Sequence, residues 1–219
     1  MSGRELVTES EFEGPTRGAD RAVLLAHGAG ADMRAVALTA FSDALAAAGV
    51  AVMRFNFPYR SAGRRAPDRP ATLAAATREA AAELARRTKL APERLVLGGR
   101  SMGGRYASLA VGDAVDPLPA LGLLLLAYPL HPPGKPENLR VEHFPRLTVP
   151  VLFVSGTRDS LGGADALREH AKQIPGPVSF HWIETADHGF KPLKSSGTTI
   201  AAALGTAAAI AVDWVSALP

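Results

Sequence analysis

Short runs of consecutive apolar residues recur along the chain, each separated from the next by a longer segment with helical spacing. Arg21–Ala26 (RAVLLA), Val50–Phe55 (VAVMRF), Leu95–Leu97, Leu121–Ala127 (LGLLLLA), Val149–Ser155 (VPVLFVS) and Val178–Glu184 (VSFHWIE) have strand length. Continuous rather than alternating apolar character is what a strand buried on both faces requires. Residues 5–13 alternate weakly and are expected to add an antiparallel edge strand. Helices are expected over about 33–48, ended by Gly49, over 71–90, from the turn after Leu97 to about Val111, over 164–174 and over 198–217. Strands alternating with helices predict an α/β fold in three layers, with a mostly parallel sheet, right-handed crossovers and helices on both faces. The chain has no internal repeat, low-complexity tail or linker, and 219 residues suit one domain over 1–219.

Composition narrows the function classes. Apolar residues make up 47% of the chain, enough for a large core. The net charge is only +3 and the arginines are mostly scattered, so no nucleic-acid partner is expected. Cysteine is absent, which rules out disulfides, a thiolate nucleophile and cysteine-held metal. The N-terminus, MSGRELVTESEFEG, lacks the apolar core of a signal peptide. The longest apolar runs, Leu118–Leu130 and Ala201–Val212, fall short of the ~18 residues that span a bilayer. The expectation is a soluble, cytoplasmic protein with no membrane partner. The oligomeric state is left open.

One stretch departs from ordinary core patterning. Residues 94–110 read RLVLGGRSMGGRYASLA: an apolar run, then Gly98-Gly99, Arg100, Ser101, Met102 and Gly103-Gly104, then an Ala-rich segment. This is a strand, a sharp turn and a helix with Ser101 at the apex. Gly99-x-Ser101-x-Gly103 is the G-x-S-x-G pattern of a nucleophile elbow. A serine in a strained turn needs flanks without side chains, which glycine provides. A phosphate-binding loop is the competing reading. Gly98 to Gly103 has its glycine spacing, but Gly104-Arg105 stands where Lys-Ser/Thr is needed, which excludes it.

In an open α/β sheet, ligands bind beyond the carboxyl ends of the strands. Those ends carry His27-Gly28-Ala29-Gly30, Ser101, Gly156-Thr157-Arg158-Asp159 and Thr185-Ala186-Asp187-His188-Gly189-Phe190. A hydroxyl, a carboxylate and an imidazole therefore fall on one edge. A serine hydroxyl needs a base with a pKa near 7, and histidine alone has that unperturbed. The imidazole in turn needs a carboxylate to hold its tautomer. Ser101, His188 and Asp159 fit these roles, with adjacent Asp187 as the alternative carboxylate and helix capping as the alternative role for Asp159. The order Ser, Asp, His separates this set from the other two common serine-hydrolase orders.

The segments HGAGADM at 27–33, FNFPYR at 55–60, GGRSMGGR at 98–105, SGTRD at 155–159 and ADHGF at 186–190 together resemble the α/β-hydrolase superfamily, in particular its small dienelactone-hydrolase-like members. The resemblance covers nearly the whole chain. It implies a serine hydrolase acting on an acyl substrate, without a metal or an organic cofactor. One departure matters: dienelactone hydrolases use a cysteine nucleophile, and this chain has none, so their substrate does not carry over.

Two backbone N–H groups are expected to hold the oxyanion: that of Met102 and that of Ala29, with Gly30 second to Ala29. Loss of one such donor typically costs about 2.7–4 kcal/mol of transition-state stabilisation. Gly30, Tyr59, Arg60 and Tyr128 are the candidate substrate contacts, with core packing as the competing reading of both tyrosines. Arg60, Arg64, Arg65 and Arg69 crowd the 56–70 loop; a solvated surface loop is the favoured reading and an anion clamp the alternative. Arg100 is expected to be buried or paired. His27 is expected to order its own loop, His181 to be a satisfied or surface residue, and His131, His143 and His170 to lie in loops or on a helix surface. No H-E-x-x-H or comparable cluster points to a metal. Only about twenty residues, rich in proline, join the strands at Leu121–Ala127 and Val149–Ser155, so no cap domain is expected over the site. The function this supports is cleavage of a small carboxylic ester through Ser101, His188 and Asp159. A thioesterase or peptidase of the same fold, or a non-catalytic binding or scaffold protein on it, are the alternatives.

Overall fold

The computed structural model describes residues 6, 7 and 9–219. Residues 5 and 8 of the expected edge strand lie outside the described residues. The sheet has seven strands: β1 (Ser10–Glu13), β2 (Ala22–Ala26), β3 (Ala51–Phe55), β4 (Leu95–Arg100), β5 (Gly122–Leu126), β6 (Val151–Gly156) and β7 (Val178–Ile183). Their order is β1-β3-β2-β4-β5-β6-β7. All neighbours are parallel except β1, which runs antiparallel to β3. Strands β2 to β6 are buried almost throughout, as their continuous apolar runs require.

Helices α1 (Val36–Ala47) and α6 (Ile200–Ala217) cover one face of the sheet. Helices α3 (Pro70–Thr88), α4 (Met102–Val111) and α5 (Ala164–Ala171) cover the other. Successive residues of each strand feed opposite cores: Leu24 and Leu97 pack under α3 and α4, Leu25 and Val96 under α1 and α6.

Four details differ from the sequence reading. The central strand does not stop at Leu97. It continues through Gly98 and Gly99 to Arg100, because both glycines pair in register with Leu124 and Leu125 of β5. A short helix, α2 (Pro58–Ser61), starts inside the expected loop, where Pro58 presets the first helical φ. The closing helix reaches 18 residues with mean hydropathy 1.6, which is long and apolar enough to cross a membrane by composition. One face of it, with Ala203, Leu204, Ala207, Ala208, Ala211 and Val215, is buried against α1 and the sheet. Finally, β3 carries a charge in its interior. Arg54 is 3% exposed. It pairs with Glu11 at 3.0 Å and with Glu13, and donates to the Met33 carbonyl at 2.5 Å. The glutamates of β1 thus neutralise an otherwise costly buried guanidinium, which fixes where the edge strand docks.

Between β5 and β6 the described chain forms no α-helix or strand, only a turn of 3-10 helix at Phe144–Arg146. No cap domain stands over the carboxyl edge of the sheet among the described residues.

Candidate active site

The site is built by the register of two strands. Ala26 of β2 lies beside Gly99 of β4, so the segment leaving β2 and the turn leaving β4 emerge together. Ser101 follows with φ 52° and ψ −112°, a conformation that residues with a Cβ rarely adopt. Its backbone N–H donates to the Leu126 carbonyl at 2.8 Å, which ties the turn to β5. Although Ser101 is the N-cap of α4, its hydroxyl caps nothing. It sits 3.0 Å from Nε2 of His188 instead. Gly99, with φ 142°, and Gly103 each pass so close to Ala26 that a Cβ would stand 2.1 Å and 2.2 Å from its carbonyl oxygen. The elbow glycines are thus needed for contact with the neighbouring strand, not only for the turn itself.

His188 arrives on the segment after β7, and Asp159 on the turn after β6. Nδ1 of His188 lies 2.8 Å from Oδ2 and 3.0 Å from Oδ1 of Asp159. Asp159 is 3% exposed, and its Oδ1 also accepts from the Leu161 N–H at 2.8 Å. The adjacent Asp187 does not reach the imidazole as a partner. Its Oδ1 accepts from the backbone N–H groups of Gly189 at 2.8 Å and Lys191 at 3.0 Å, so it shapes the loop that carries His188. Arg100 donates to the His188 carbonyl at 2.8 Å. Burial lowers the pKa of this guanidinium, and the carboxylates of Asp159 and Asp187 oppose the shift.

The loop after β2 approaches from the other side. A Cβ on Gly28 would stand 3.5 Å from that of Ser101. His27 is fully buried behind it. Nδ1 of His27 donates to the Gly28 carbonyl at 2.8 Å, and Nε2 accepts from the Phe57 N–H at 3.1 Å. These two bonds select the neutral Nδ1–H tautomer, and burial lowers the pKa in the same sense. His27 therefore locks the loop that presents Ala29 and Gly30. The N–H of Met102 is the first of α4 and has no intrahelical acceptor.

A cleft of about 450 Å³ opens in front of Ser101. Ala29, Gly30, Met102 and His188 line it, with Pro129, Pro133 and Leu161 on the apolar side. Three of the expected substrate contacts lie elsewhere. Tyr59 is fully buried, and its hydroxyl donates to the Ala29 carbonyl at 2.7 Å. Burial pushes its pKa up to about 12. Tyr128 is also fully buried and donates to the Arg140 carbonyl at 2.7 Å. Arg60 is drawn to Asp32, 3.5 Å away. Arg64 pairs with Asp68 at 2.6 Å, while Arg65 and Arg69 point to solvent. None of the four loop arginines lines the cleft. His143 is the other departure: it is fully buried, bonded to Ser108 Oγ at 2.8 Å, where a loop-surface residue was expected.

Two cleft-lining arginines were not anticipated, Arg105 on α4 and Arg140 in the Pro-rich connection. One signal was readable for Arg105. It stands in the first turn of a helix, where the dipole disfavours a cation. Among the described residues no group of His, Asp and Glu could hold a metal ion.

A strained serine between a strand and a helix, with an imidazole and a carboxylate delivered by later strand ends, is the arrangement of an α/β-hydrolase-type protein. The chain belongs to that family: the model of an alpha/beta hydrolase domain matches residues 19–216. Its fold is similar to an alpha-beta serine hydrolase homologue from Coxiella burnetii, with TM-score 0.71 and 17% identity over 97% of each chain. It is also similar to dienelactone hydrolase from Anabaena variabilis, with TM-score 0.69 and 20% identity over 95% of this chain and 91% of that one. Esterase 2 from Thermogutta terrifontis, in a form phosphoramylated by tabun, superposes with TM-score 0.69 at 17% identity over 94% of this chain and 88% of that one.

Proposed function

We propose that the protein is a serine hydrolase that cleaves a small carboxylic ester through a covalent acyl-enzyme. The observation that carries this reading is the continuous line from Ser101 Oγ to His188 Nε2, 3.0 Å, and from His188 Nδ1 to Asp159 Oδ2, 2.8 Å. Ser101 Oγ attacks the ester carbonyl as its proton passes to Nε2 of His188. The N–H groups of Met102 and Ala29 take up the developing oxyanion. Collapse expels the alcohol, which receives the proton from Nε2, and leaves the acyl group on Ser101. Water then attacks the acyl-enzyme, giving its proton to Nε2, and the acid leaves as Ser101 recovers the proton. Asp159 keeps Nδ1 protonated and stabilises the imidazolium. The names of the structural neighbours, a serine hydrolase homologue and an esterase phosphoramylated by tabun, agree with this reading.

The cleft supports a small substrate. Its volume of about 450 Å³ lies in the range of small-molecule sites, and no cap closes over it among the described residues. Labelling with a fluorophosphonate probe, followed by peptide mapping, tests the assignment together with hydrolysis of short p-nitrophenyl esters. Modification at Ser101, lost with turnover in Ser101→Ala, is the expected result. Labelling and turnover that survive Ser101→Ala would overturn it. Inactivity of the wild type on ester, thioester and amide substrates, with a stable protein partner recovered, would instead favour a scaffold on this fold.

A further inference from the structure

The acyl-transfer steps leave two charges in the cleft unused. Arg105 lies on α4 one turn after Ser101, and Arg140 comes from the connection between β5 and β6. Both line the cleft with Ser101 and His188. Arg60 and Arg64 each have a carboxylate partner, but among the described residues none lies within ion-pair distance of Arg105 or Arg140. Nε of Arg105 is buried with no hydrogen-bond partner, and its guanidinium carbon stands 5.6 Å from the Tyr106 ring centroid. Arg105 also borders a neighbouring groove of about 370 Å³, so it forms the wall between the two hollows, whereas Arg140 lines the cleft of Ser101 and not that groove.

The backbone holding Arg140 is fixed at both polar atoms. Its N–H donates to the Leu130 carbonyl at 2.7 Å, and its carbonyl accepts from the buried Tyr128 hydroxyl at 2.7 Å. Burial, and then the nearby Arg105, lower the pKa of the Arg140 guanidinium, while Tyr128, Tyr106 and Glu142 oppose them. Two half-buried cations that repel each other across a substrate cleft are a cost to the empty protein. An anion between them removes that cost, and a planar carboxylate matches guanidinium geometry. Two other charged residues line the cleft. Arg100 is held by the His188 carbonyl. Asp68 lines the same cleft, with Oδ1 on Arg64 and a buried Oδ2 without a partner. That carboxylate weighs against a dianionic phosphate more than against a singly charged group.

We propose that Arg105 and Arg140 form an anion-recognition subsite beside Ser101, which selects esters carrying a free carboxylate. The turnover arm of this inference rests on the hydrolase reading above; the binding arm does not. Turnover is compared for monomethyl glutarate, charged on its acid part, and dimethyl glutarate, its neutral counterpart. A second pair, 4-acetoxybutanoate and butyl acetate, places the charge on the alcohol part. The wild type is expected to prefer the charged member of at least one pair by tenfold or more in kcat/KM. Arg105→Gln and Arg140→Gln each reduce that preference about tenfold, mainly through KM, and Arg105→Lys and Arg140→Lys recover part of it. No charge preference in the wild type for either pair, or a preference untouched in both glutamine variants, would overturn the subsite.

The binding arm uses Ser101→Ala and calorimetry with monomethyl glutarate and 4-acetoxybutanoate. Binding that weakens at least tenfold when Arg140→Gln is added, with an unchanged melting temperature, supports the subsite even if no ester is turned over. Absence of binding by both anions, or binding indifferent to the arginines, overturns it. Fluorophosphonate labelling of the wild type reports separately on the serine, so failure of the hydrolase reading and failure of the subsite give different patterns.

Discussion

Gly103, in the first turn of α4, faces Ala26 of β2 so closely that a Cβ there would stand 2.2 Å from the Ala26 carbonyl oxygen. Both partners are backbone-bound in the buried centre of the molecule, so neither can swing aside as a flexible side chain would. Overpacking of this kind costs about 1–3 kcal/mol. Gly103→Ala is therefore expected to lower the melting temperature by several degrees. It should also slow fluorophosphonate labelling of Ser101 at temperatures where the variant is folded, because the helix must move away from β2 and carry Ser101 with it. A variant that melts and labels like the wild type would show that the contact relaxes without consequence.

Asp159 and Asp187 make opposite predictions although they flank the same histidine. Asp159 accepts from the imidazole, whereas Asp187 accepts from backbone amides. Asp159→Asn is expected to cut kcat by about 10⁴-fold, because an amide no longer selects the Nδ1–H tautomer. Asp187→Asn keeps an acceptor for the loop amides and is expected to cost tenfold or less. Steady-state kinetics with p-nitrophenyl acetate separates them. A larger loss in Asp187→Asn than in Asp159→Asn would reverse the assignment of roles.

The sheet, its order of helices and the convergence of strand ends were legible because each rests on a local pattern. Apolar runs marked the strands, and the position of Ser101, Asp159 and His188 just after such runs placed them on one edge. What stayed hidden depends on contacts distant in sequence. Nothing in FNFPYR says that Tyr59 turns inward to the Ala29 carbonyl, or that Arg60 is captured by Asp32. The burial of His143 follows from its partner Ser108 on α4, which no local pattern announces. The two candidate carboxylates, Asp159 and Asp187, were likewise separable only once the backbone amides around Asp187 were in place.

His27 joins the loop after β2 to the start of α2 through the Gly28 carbonyl and the Phe57 N–H. Replacing it by Phe leaves the buried Phe57 N–H without an acceptor, a loss of roughly 1–3 kcal/mol. His27→Phe is expected to melt earlier and also to lower kcat, since Ala29 is no longer held in place beside Ser101. Urea unfolding and esterase kinetics on the same preparation check both. Unchanged kcat in a destabilised His27→Phe would show that the loop keeps its geometry without the imidazole.

Acid stability should report on His143. Burial, then the charges of Arg105 and Arg146, push its pKa down to about 4, with Glu142 opposing. In the unfolded chain the imidazole binds a proton as the pH falls through its ordinary value of 6.5, while in the folded protein it stays neutral to about 4. Between those values the unfolded state holds more protons, so stability is complete above pH 6.5 and declines as the pH falls toward 4. The loss amounts to roughly 3 kcal/mol over that window at about 1.4 kcal/mol per pH unit. His27 is shifted in the same direction by burial and adds to the slope. Urea midpoints measured from pH 7.5 to pH 4.5 should therefore fall steadily in the wild type and less steeply in His143→Gln, which is less stable at neutral pH but has one titrating group fewer. An equal slope in the two proteins would mean that His143 takes up its proton over the same pH range in the fold as in the unfolded chain, against its burial and its bond to Ser108.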